Sequence, residues 1–142
     1  MLKITKMSDY AVIVLIEMMQ AEDCVSVAGL AQQMQLPKPT ISKVLKSLAQ
    51  AGIVISTRGT NGGYSLGFPP EDISIEQIIS AIDGPISLVD CVDGGEPGCK
   101  LGDNCPIRGR WDSVNTAVKG VFSNVSLADM AGNTVNLERG QL

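Results

Sequence analysis

A glycine-rich turn between two short strand-like runs is the feature that most constrains the fold of this chain. The run IVIST at residues 53–57 and the run GYSLGF at residues 63–68 are joined by RGTNGG. Asn-Gly-Gly favours a tight turn, since glycine adopts backbone conformations that other residues avoid. The sequence therefore predicts a β-hairpin over residues 53–68.

Three helical patterns precede this hairpin. Ser8 and Ser26 are suited to cap helices over residues 8–20 and 27–34, because a serine hydroxyl can accept hydrogen bonds from first-turn amides. A third helix is predicted over residues 38–51, with a buried stripe at Ile41, Val44, Leu45 and Leu48. Helices followed by a hairpin predict a winged helix-turn-helix, in which the third helix is the recognition helix and the hairpin is the wing.

Charge is distributed unevenly along the chain, whose net charge is −4. The 46 residues from Val25 to Pro70 contain no Asp or Glu, although about five would be expected from the average of the chain. The same window carries four positive charges, at Lys38, Lys43, Lys46 and Arg58. This half of the chain can face an anion, whereas residues 71–106 hold eight acids against one lysine.

These residues indicate an interface for a double-stranded DNA operator. The four cations suit phosphate contacts, and Thr40, Ser42 and Lys43 are the candidates for contacts to base edges. Asn61, Gly62 and Gly63 would let the wing approach the backbone or the minor groove. The alternative is a winged helix that binds protein and carries its lysines on a solvated face. Few cations per subunit predict that a homodimer is needed for useful affinity.

Three of the four cysteines lie in one segment rich in Gly, Pro and Asp, over residues 90–112. Seven residues separate Cys91 from Cys99, and five separate Cys99 from Cys105. A structural zinc site usually shows closer cysteine pairs and often histidine, and this chain contains no histidine. Ordinary buried thiols are possible, but a loop rich in Gly, Pro and Asp is a poor place to bury one, and the odd number of cysteines in the loop disfavours a disulfide framework. An iron–sulfur cluster fits better, because thiolates are its usual ligands and glycines let backbone amides approach its sulfides.

The compartment expected for the chain is the cytoplasm, where thiols stay reduced. The longest apolar run near the start, AVIVLI, has six residues, far below the roughly 18 of a membrane span. No signal peptide and no membrane association are therefore expected. A disulfide framework is disfavoured in this compartment, and Cys24, in a turn of the DNA-binding module, is expected to have a structural role.

The C-terminal half is predicted to contain a linking helix and a dimerisation helix. Residues 74–83 form an amphipathic pattern with a capping box between Ser74 and Gln77. Beyond the cysteines, apolar residues recur at spacings of three and four, as in a coiled-coil seam, at Trp111, Val114, Val118, Val121 and Val125. This seam must be buried against the same chain or a second copy.

The resulting fold class is mostly α with a small β-hairpin, a winged helix-turn-helix plus a long C-terminal dimerisation helix. Residues 1–68 are assigned to the DNA-binding domain, and residues 69–110 to the linking helix and cysteine loop. Residues 111–131 are assigned to the dimerisation helix and residues 132–142 to a flexible tail. No small-molecule substrate and no enzyme activity are expected, because the chain has no phosphate loop before a helix and no paired cysteine motif.

The chain resembles the Rrf-type winged-helix regulators that sense iron–sulfur clusters or nitric oxide, typified by IscR and NsrR. The resemblance rests on MLKITKMSDYAV, KPTISKVLKSLAQAG, RGTNGGYSLG, ISIEQIISAIDG and the spaced cysteines, and covers about residues 1–131. LKITKMSDYA and CKLGDNCPIRGRW are most similar to regulators of the SUF iron–sulfur assembly operon. The resemblance implies a repressor with a 2Fe–2S or 4Fe–4S cluster on Cys91, Cys99 and Cys105. A nitric-oxide-sensing repressor and a regulator without a cluster are the alternatives.

Two departures from the family pattern affect the expected site. IscR-like members have a histidine three residues after the last cysteine, where this chain has Arg108, which cannot bind the cluster. NsrR-like members use a carboxylate from the first helix of the partner, and the matching residue is Asp9. Asp9 is therefore the candidate fourth ligand, although an Asp at a helix start also stabilises the helix dipole. Pro39 and Ser42 occupy base-reading positions without the long polar side chains of IscR, so the operator sequence is not transferred.

Overall fold

The computed structural model describes residues 2–92, 99–132, 135 and 137 of the 142-residue chain. The described residues form six α-helices, two short 3-10 helices (Pro70–Asp72 and Gly102–Asn104) and one two-stranded antiparallel hairpin, which confirms a mostly helical fold with a small hairpin. The elements are α1 (Lys6–Met19), α2 (Val27–Met34), α3 (Lys38–Gln50), β1 (Val54–Thr57), β2 (Gly63–Leu66), α4 (Ile75–Asp83), α5 (Arg110–Ser123) and α6 (Leu127–Ala131).

The start of α1 differs from the predicted start. Thr5 caps the helix, and its hydroxyl accepts a hydrogen bond from the backbone N–H of Ser8 at 3.1 Å. Ser8, the predicted cap, lies inside the first turn and is completely buried. Its hydroxyl donates to Oδ2 of Asp83, at the end of α4, over 2.6 Å. The sequence offers two hydroxyl residues three positions apart, and the tertiary contact with α4 selects the earlier one as the cap.

The second and third helices form as predicted. Ser26 caps α2 by accepting a hydrogen bond from the N–H of Gly29 at 3.0 Å. Gly52, at a φ of +76°, lets the chain leave the end of α3. The predicted stripe of α3 is fully buried against the rest of the chain, at Ile41, Val44, Leu45 and Leu48. The opposite face of α3 is consequently left at the surface.

The hairpin pairs Val54 with Leu66 and Thr57 with Gly63. A third piece of backbone joins it, because Val25 and Tyr64 exchange two hydrogen bonds of 2.9 and 2.8 Å. A Cβ at Gly63 would collide with the carbonyl oxygen of Val25, and one at Gly62 would collide with that of Thr57. The two glycines are therefore required for the turn and for fastening the wing to the turn between α1 and α2.

The core lies between α1, α3 and α4, with the start of the hairpin at its edge. The capping box predicted at the start of α4 is confirmed in both directions. The N–H of Gln77 donates to Oγ of Ser74 at 3.2 Å, and the N–H of Ser74 donates to Oε1 of Gln77 at 2.9 Å. Burial of Ile75, Ile78 and Ile79 then packs α4 onto the N-terminal module, so the linking helix is part of the core.

The C-terminal region differs from the single helix predicted over residues 111–131. Helix α5 ends at Ser123, and Ser126 and Asp129 form a capping box that starts α6. Between them, the carbonyl of Val125 accepts a 2.9 Å hydrogen bond from the N–H of Ile75. The side chain of Val125 is only 7% exposed and belongs to the core of its own chain, away from the surface seam to which it was assigned.

Within the described part of the chain, no helix is both long enough and apolar enough to cross a membrane. The predicted flexible tail, residues 132–142, falls mostly outside the described residues.

Candidate nucleic-acid interface and cysteine segment

The surface of α3 presents the residues that were predicted to bind DNA. Because the apolar stripe of the helix faces the core, the remaining positions are directed outward. Thr40 is half-buried, and the other candidates on this helix are exposed, namely Lys38, Pro39, Ser42, Lys43 and Lys46. Pro37 and Pro39 fit at the helix start, where the first amides have no partner within the helix. Three lysines thus lie along one exposed helix.

The wing adds the fourth positive charge of the module. Arg58 and Asn61 are exposed at the turn, whereas Gly62 and Gly63 are half-buried beneath it. The turn is closed by a 3.0 Å hydrogen bond from the N–H of Gly62 to the carbonyl of Gly59. With no acid between residues 25 and 70, an anion would meet only positive or neutral side chains from this stretch. The arrangement suits the backbone of a nucleic acid, and the individual contacts remain predictions.

All four cysteines are free thiols. Cys91 and Cys99 are exposed, whereas Cys105 and Cys24 are half-buried. Within the described residues, no three Cys, Asp or Glu side chains lie close enough together to hold a metal ion, and residues 93–98 of the loop are outside that range. The three loop thiols have the donor chemistry of an iron–sulfur site, but the described residues do not assemble them with Asp9.

The stretch from Cys99 to Arg108 is a series of tight turns. The N–H of Gly102 donates to the carbonyl of Cys99 at 3.0 Å, and the N–H of Arg108 donates to that of Cys105 at 3.3 Å. The guanidinium of Arg108 forms an ion pair with Asp103, and both side chains are largely exposed. The position that would carry a histidine in IscR-like members therefore holds a solvated ion pair.

The segment before Cys91 is attached to α5 through Asn115, a residue that sequence reasoning missed. Its side chain is 1% exposed and binds the backbone of the segment at Ile86 and Leu88. Asn115 lies on the inward face of α5, three residues before Val118 and seven before Phe122, both partly buried. The sequence signal that could have identified it is a polar residue at a position of the helix where the spacing of the inward face predicts an apolar one.

Asp9 is one of the residues that line an open groove of about 380 Å³ between α1, α4 and the C-terminal helices. Its neighbours in the groove are mostly apolar and include Ile4, Ile79, Val121, Met130 and Val135. Asp9 itself is exposed, although Ser8 beside it is completely buried. Its carboxylate is thus accessible to another molecule that occupies the groove.

Comparison with known proteins gives one family for nearly the whole chain. Residues 4–133 match the model of the Rrf2 family, which is described as an iron-dependent transcriptional regulator. The regulator CymR of Bacillus subtilis is 32% identical over 135 residues, which cover 94% of this chain and 92% of CymR. The regulator IscR of Aliivibrio salmonicida is 27% identical over 131 residues, covering 91% of this chain and 77% of IscR. These relatives are transcriptional regulators and not enzymes, as expected for this chain.

Solved structures agree with this comparison. The structure of CymR, the global cysteine regulator of Bacillus subtilis, superposes with a TM-score of 0.70 at 33% identity. That comparison covers 92% of this chain and 97% of CymR. The structure of T. potens IscR superposes with a TM-score of 0.66 at 25% identity, covering 99% and 94% of the two chains. The helices and the hairpin of this chain thus have the arrangement found in winged-helix regulators.

Proposed function

The chain belongs to the Rrf2 family of transcriptional regulators, and we propose that it is a cytoplasmic, homodimeric repressor that senses iron–sulfur cluster status. The observation that carries the proposal is the combination of two features in one chain. An exposed, acid-free helix and wing lie in the N-terminal module, and three free thiols follow a helix packed against that module. The first feature suits an operator and the second suits a sensing centre.

In the proposed complex, α3 of each subunit enters the major groove and the wing contacts the neighbouring backbone. The cations Lys38, Lys43, Lys46 and Arg58 neutralise phosphates, and Thr40, Ser42 and Lys43 are also the candidates for contacts to base edges. Four cations per subunit release few counterions, so two subunits on a two-fold operator are needed for tight binding. All of these side chains except the half-buried Thr40 are exposed, and this exposure, together with the buried stripe beneath them, supports the orientation.

The proposed dimer forms through α5. Trp111 and Val114 are 38% and 45% exposed, which is unusual for adjacent large apolar residues on one helix. Val118 and Val121 are half-buried, so they remain members of the proposed seam, whereas Val125 is used by the core. The apolar groove that contains Asp9 is the second part of this interface. A partner helix in that groove would bring its cysteine loop towards Asp9.

Cys91, Cys99 and Cys105 would hold the cluster, with Asp9 of the partner subunit as fourth ligand. When bound, a 2Fe–2S or 4Fe–4S cluster supplies a centre that oxidants, nitric oxide or iron limitation can remove. The protein's part is to place the thiols beside α5, so that occupancy of the loop alters the angle between the two recognition helices. SUF-type assembly genes are the proposed targets, because LKITKMSDYA and CKLGDNCPIRGRW are most similar to regulators of that operon.

A second candidate function is a regulator whose cysteines bind no cluster. One observation favours it, since the described positions of Cys91, Cys99 and Cys105 do not converge on a metal-holding group. The same family contains CymR, a cysteine regulator at 33% identity to this chain. In this case the free thiols would report on oxidants or thiols directly, through changes in their own oxidation state.

Anaerobic purification followed by visible absorption and iron and sulfide analysis distinguishes the two functions. Cluster sensing predicts brown protein with sulfur-to-iron charge-transfer bands, which disappear in the triple variant Cys91→Ser, Cys99→Ser, Cys105→Ser. Colourless wild-type protein that stays colourless after reconstitution with ferrous iron and sulfide would support the second candidate instead.

A further inference from the structure

Two hydrogen bonds of one side-chain amide, that of Asn115 on α5, join α5 to the segment before Cys91. Oδ1 of Asn115 accepts a hydrogen bond from the N–H of Leu88 at 2.9 Å, and Nδ2 donates to the carbonyl of Ile86 at 3.1 Å. One carboxamide therefore binds both a donor and an acceptor of the same backbone stretch, as a neighbouring strand would. Ser8 and Asn115 are the polar residues that are buried in the described part of the chain.

The contact matters because the segment between α4 and Cys91 has no helix or strand of its own. Gly84, at a φ of +86°, turns the chain away from α4, and the residues after it form bends and a turn. Buried backbone groups in such a segment need partners from elsewhere in the molecule. Asn115 supplies two of them.

Cys91 lies between two residues that are held in place by the rest of the chain. Leu88, three residues before it, is attached to Asn115, and Val92, directly after it, is only 2% exposed. The N–H of Val92 donates to the carbonyl of Val89 at 3.3 Å, which closes a turn around Cys91. The backbone on both sides of Cys91 is thus held in place, while Cys91 itself stays exposed.

The same helix, α5, carries the proposed dimer seam. Asn115 follows Val114 directly and lies one helical turn after Trp111, so it shares a rigid helix with both exposed apolar residues. We propose that Asn115 is a positioning residue, which fixes Cys91 for cluster binding and transmits the state of the cysteine loop to the dimer helix. This inference rests on the proposed cluster-sensing function and adds the contact through which that function would reach α5.

Two substitutions at Asn115 distinguish the contributions of its two hydrogen bonds. Asn115→Leu has a similar size and removes both hydrogen bonds, which leaves two backbone groups without these partners. Asn115→Asp keeps the acceptor for Leu88 and loses the donor to Ile86. Thr116→Val is the matched control, because Thr116 is exposed on the same helix and its hydroxyl donates only within the helix, to the carbonyl of Asp112.

The experiment measures two rates in the protein of 142 residues. Hydrogen exchange of residues 86–92 is followed in the cluster-free protein, with α3 as the internal reference. The loss of visible absorbance is then followed after reconstitution with ferrous iron and sulfide and addition of an iron chelator. In Asn115→Leu, we expect exchange at residues 86–92 to be about tenfold faster or more, with α3 unchanged. We also expect its absorbance to be lost several-fold faster, with Asn115→Asp intermediate and Thr116→Val like wild type.

Two results would show that Asn115 does not position Cys91. Wild-type exchange at residues 86–92 in Asn115→Leu overturns the inference, and so does faster exchange with an unchanged rate of absorbance loss. If Asn115→Leu fails to fold, the same two comparisons are made with Asn115→Asp. A wild-type protein that takes up no cluster overturns the proposed cluster sensing and this inference together, whereas a cluster indifferent to Asn115 overturns the inference alone.

Discussion

The hydroxyl of Ser8 donates a 2.6 Å hydrogen bond to Oδ2 of Asp83 and thereby joins the start of α1 to the end of α4. The hydroxyl of Thr5 donates to the same oxygen at 2.7 Å. Ser8 is followed by Asp9, the proposed ligand for the partner's cluster, and Asp83 is followed by the segment that leads to Cys91. In each subunit, the candidate ligand Asp9 and the segment that leads to Cys91 therefore both follow directly from one hydrogen-bonded junction.

Removing the hydroxyl of Ser8 should destabilise this junction. Ser8→Ala takes one of the two hydroxyl donors from the carboxylate of Asp83 and leaves the other, Thr5, in place. Because Ser8 is completely buried and its partner is charged, we expect a loss of about 1–3 kcal/mol in the free energy of unfolding. Urea denaturation of the cluster-free protein measures this change. Ser113→Ala, which removes an exposed hydroxyl bonded within α5, should change stability by less than about 0.5 kcal/mol.

Lys43 should contribute a charge-dependent part of operator binding. Lys43→Ala removes one cation per subunit, so we expect weaker binding and a slope of log K against log salt that is smaller by about 2 for the dimer. Gel-shift titrations at several salt concentrations measure both quantities. Lys43→Arg keeps the charge and should keep the slope, whereas an unchanged affinity in Lys43→Ala would refute the proposed position of α3.

The wing should depend on Gly63 for steric reasons. In Gly63→Ala, the new methyl group would meet the carbonyl oxygen of Val25, so the wing must move away from the turn between α1 and α2. We expect a stability loss of about 1–3 kcal/mol together with weaker operator binding.

Gly120→Ala is the matched control for Gly63→Ala, because the same substitution is made at a glycine that has space for a methyl group. Gly120 lies within α5, and a Cβ there meets nothing within 4 Å in the described chain. This change should raise the free energy of unfolding by roughly 0.5–1 kcal/mol, because alanine loses less backbone entropy in a helix. Equal effects of the two substitutions in thermal denaturation would show that the contact with Val25 is not the cause.

Asp9 should supply the fourth ligand to a cluster that is held by the cysteines of the partner chain. Asp9→Ala homodimers should lose the cluster readily, since each site then lacks its proposed fourth ligand. Mixed dimers are made from Asp9→Ala chains and chains in which Cys91, Cys99 and Cys105 are replaced by Ser. Such dimers contain one complete site only if Asp9 is donated across the interface, so they should recover about half of the wild-type absorbance. Recovery would be absent if Asp9 bound within its own chain.

Arg108 gives an independent check on the fourth ligand. Arg108→His places an imidazole three residues after Cys105, where IscR-like members carry histidine. In the Asp9→Ala background, this change should restore a stable cluster with an altered visible spectrum, because nitrogen replaces oxygen in the ligand set. If Asp9→Ala alone retains a wild-type spectrum, neither residue is needed and Asp9 is not a ligand.

The local signals in the sequence predicted most of the N-terminal fold. The apolar stripe of Ile41 and Leu48 predicted the buried face of α3, and the Ser74–Gln77 pair predicted the start of α4, because both patterns depend on neighbours within one helix. The choice of Thr5 over Ser8 as a cap was not predictable in this way. It depends on Asp83, which is 75 residues away from Ser8 in the chain.

The C-terminal part was harder to predict because one apolar pattern serves two purposes. The spacing from Trp111 to Val125 fits a single seam, yet Val125 pairs through its backbone with Ile75 and enters the core. The capping box at Ser126 and Asp129 was the local signal for the break. Asn115 escaped prediction because the backbone that it binds lies 27 and 29 residues away, in a segment without regular structure.

The central claim is that the cluster controls operator affinity, and one measurement tests it most directly. Binding to the promoter DNA of the SUF-type assembly genes is titrated anaerobically with cluster-loaded protein, with the same protein after chelation, and with the triple cysteine variant. We predict at least a tenfold difference in affinity between the loaded and chelated forms, about 1.4 kcal/mol, with the triple variant matching the chelated form. Equal affinity in all three would contradict the claim, and would leave a DNA-binding regulator that does not sense a cluster.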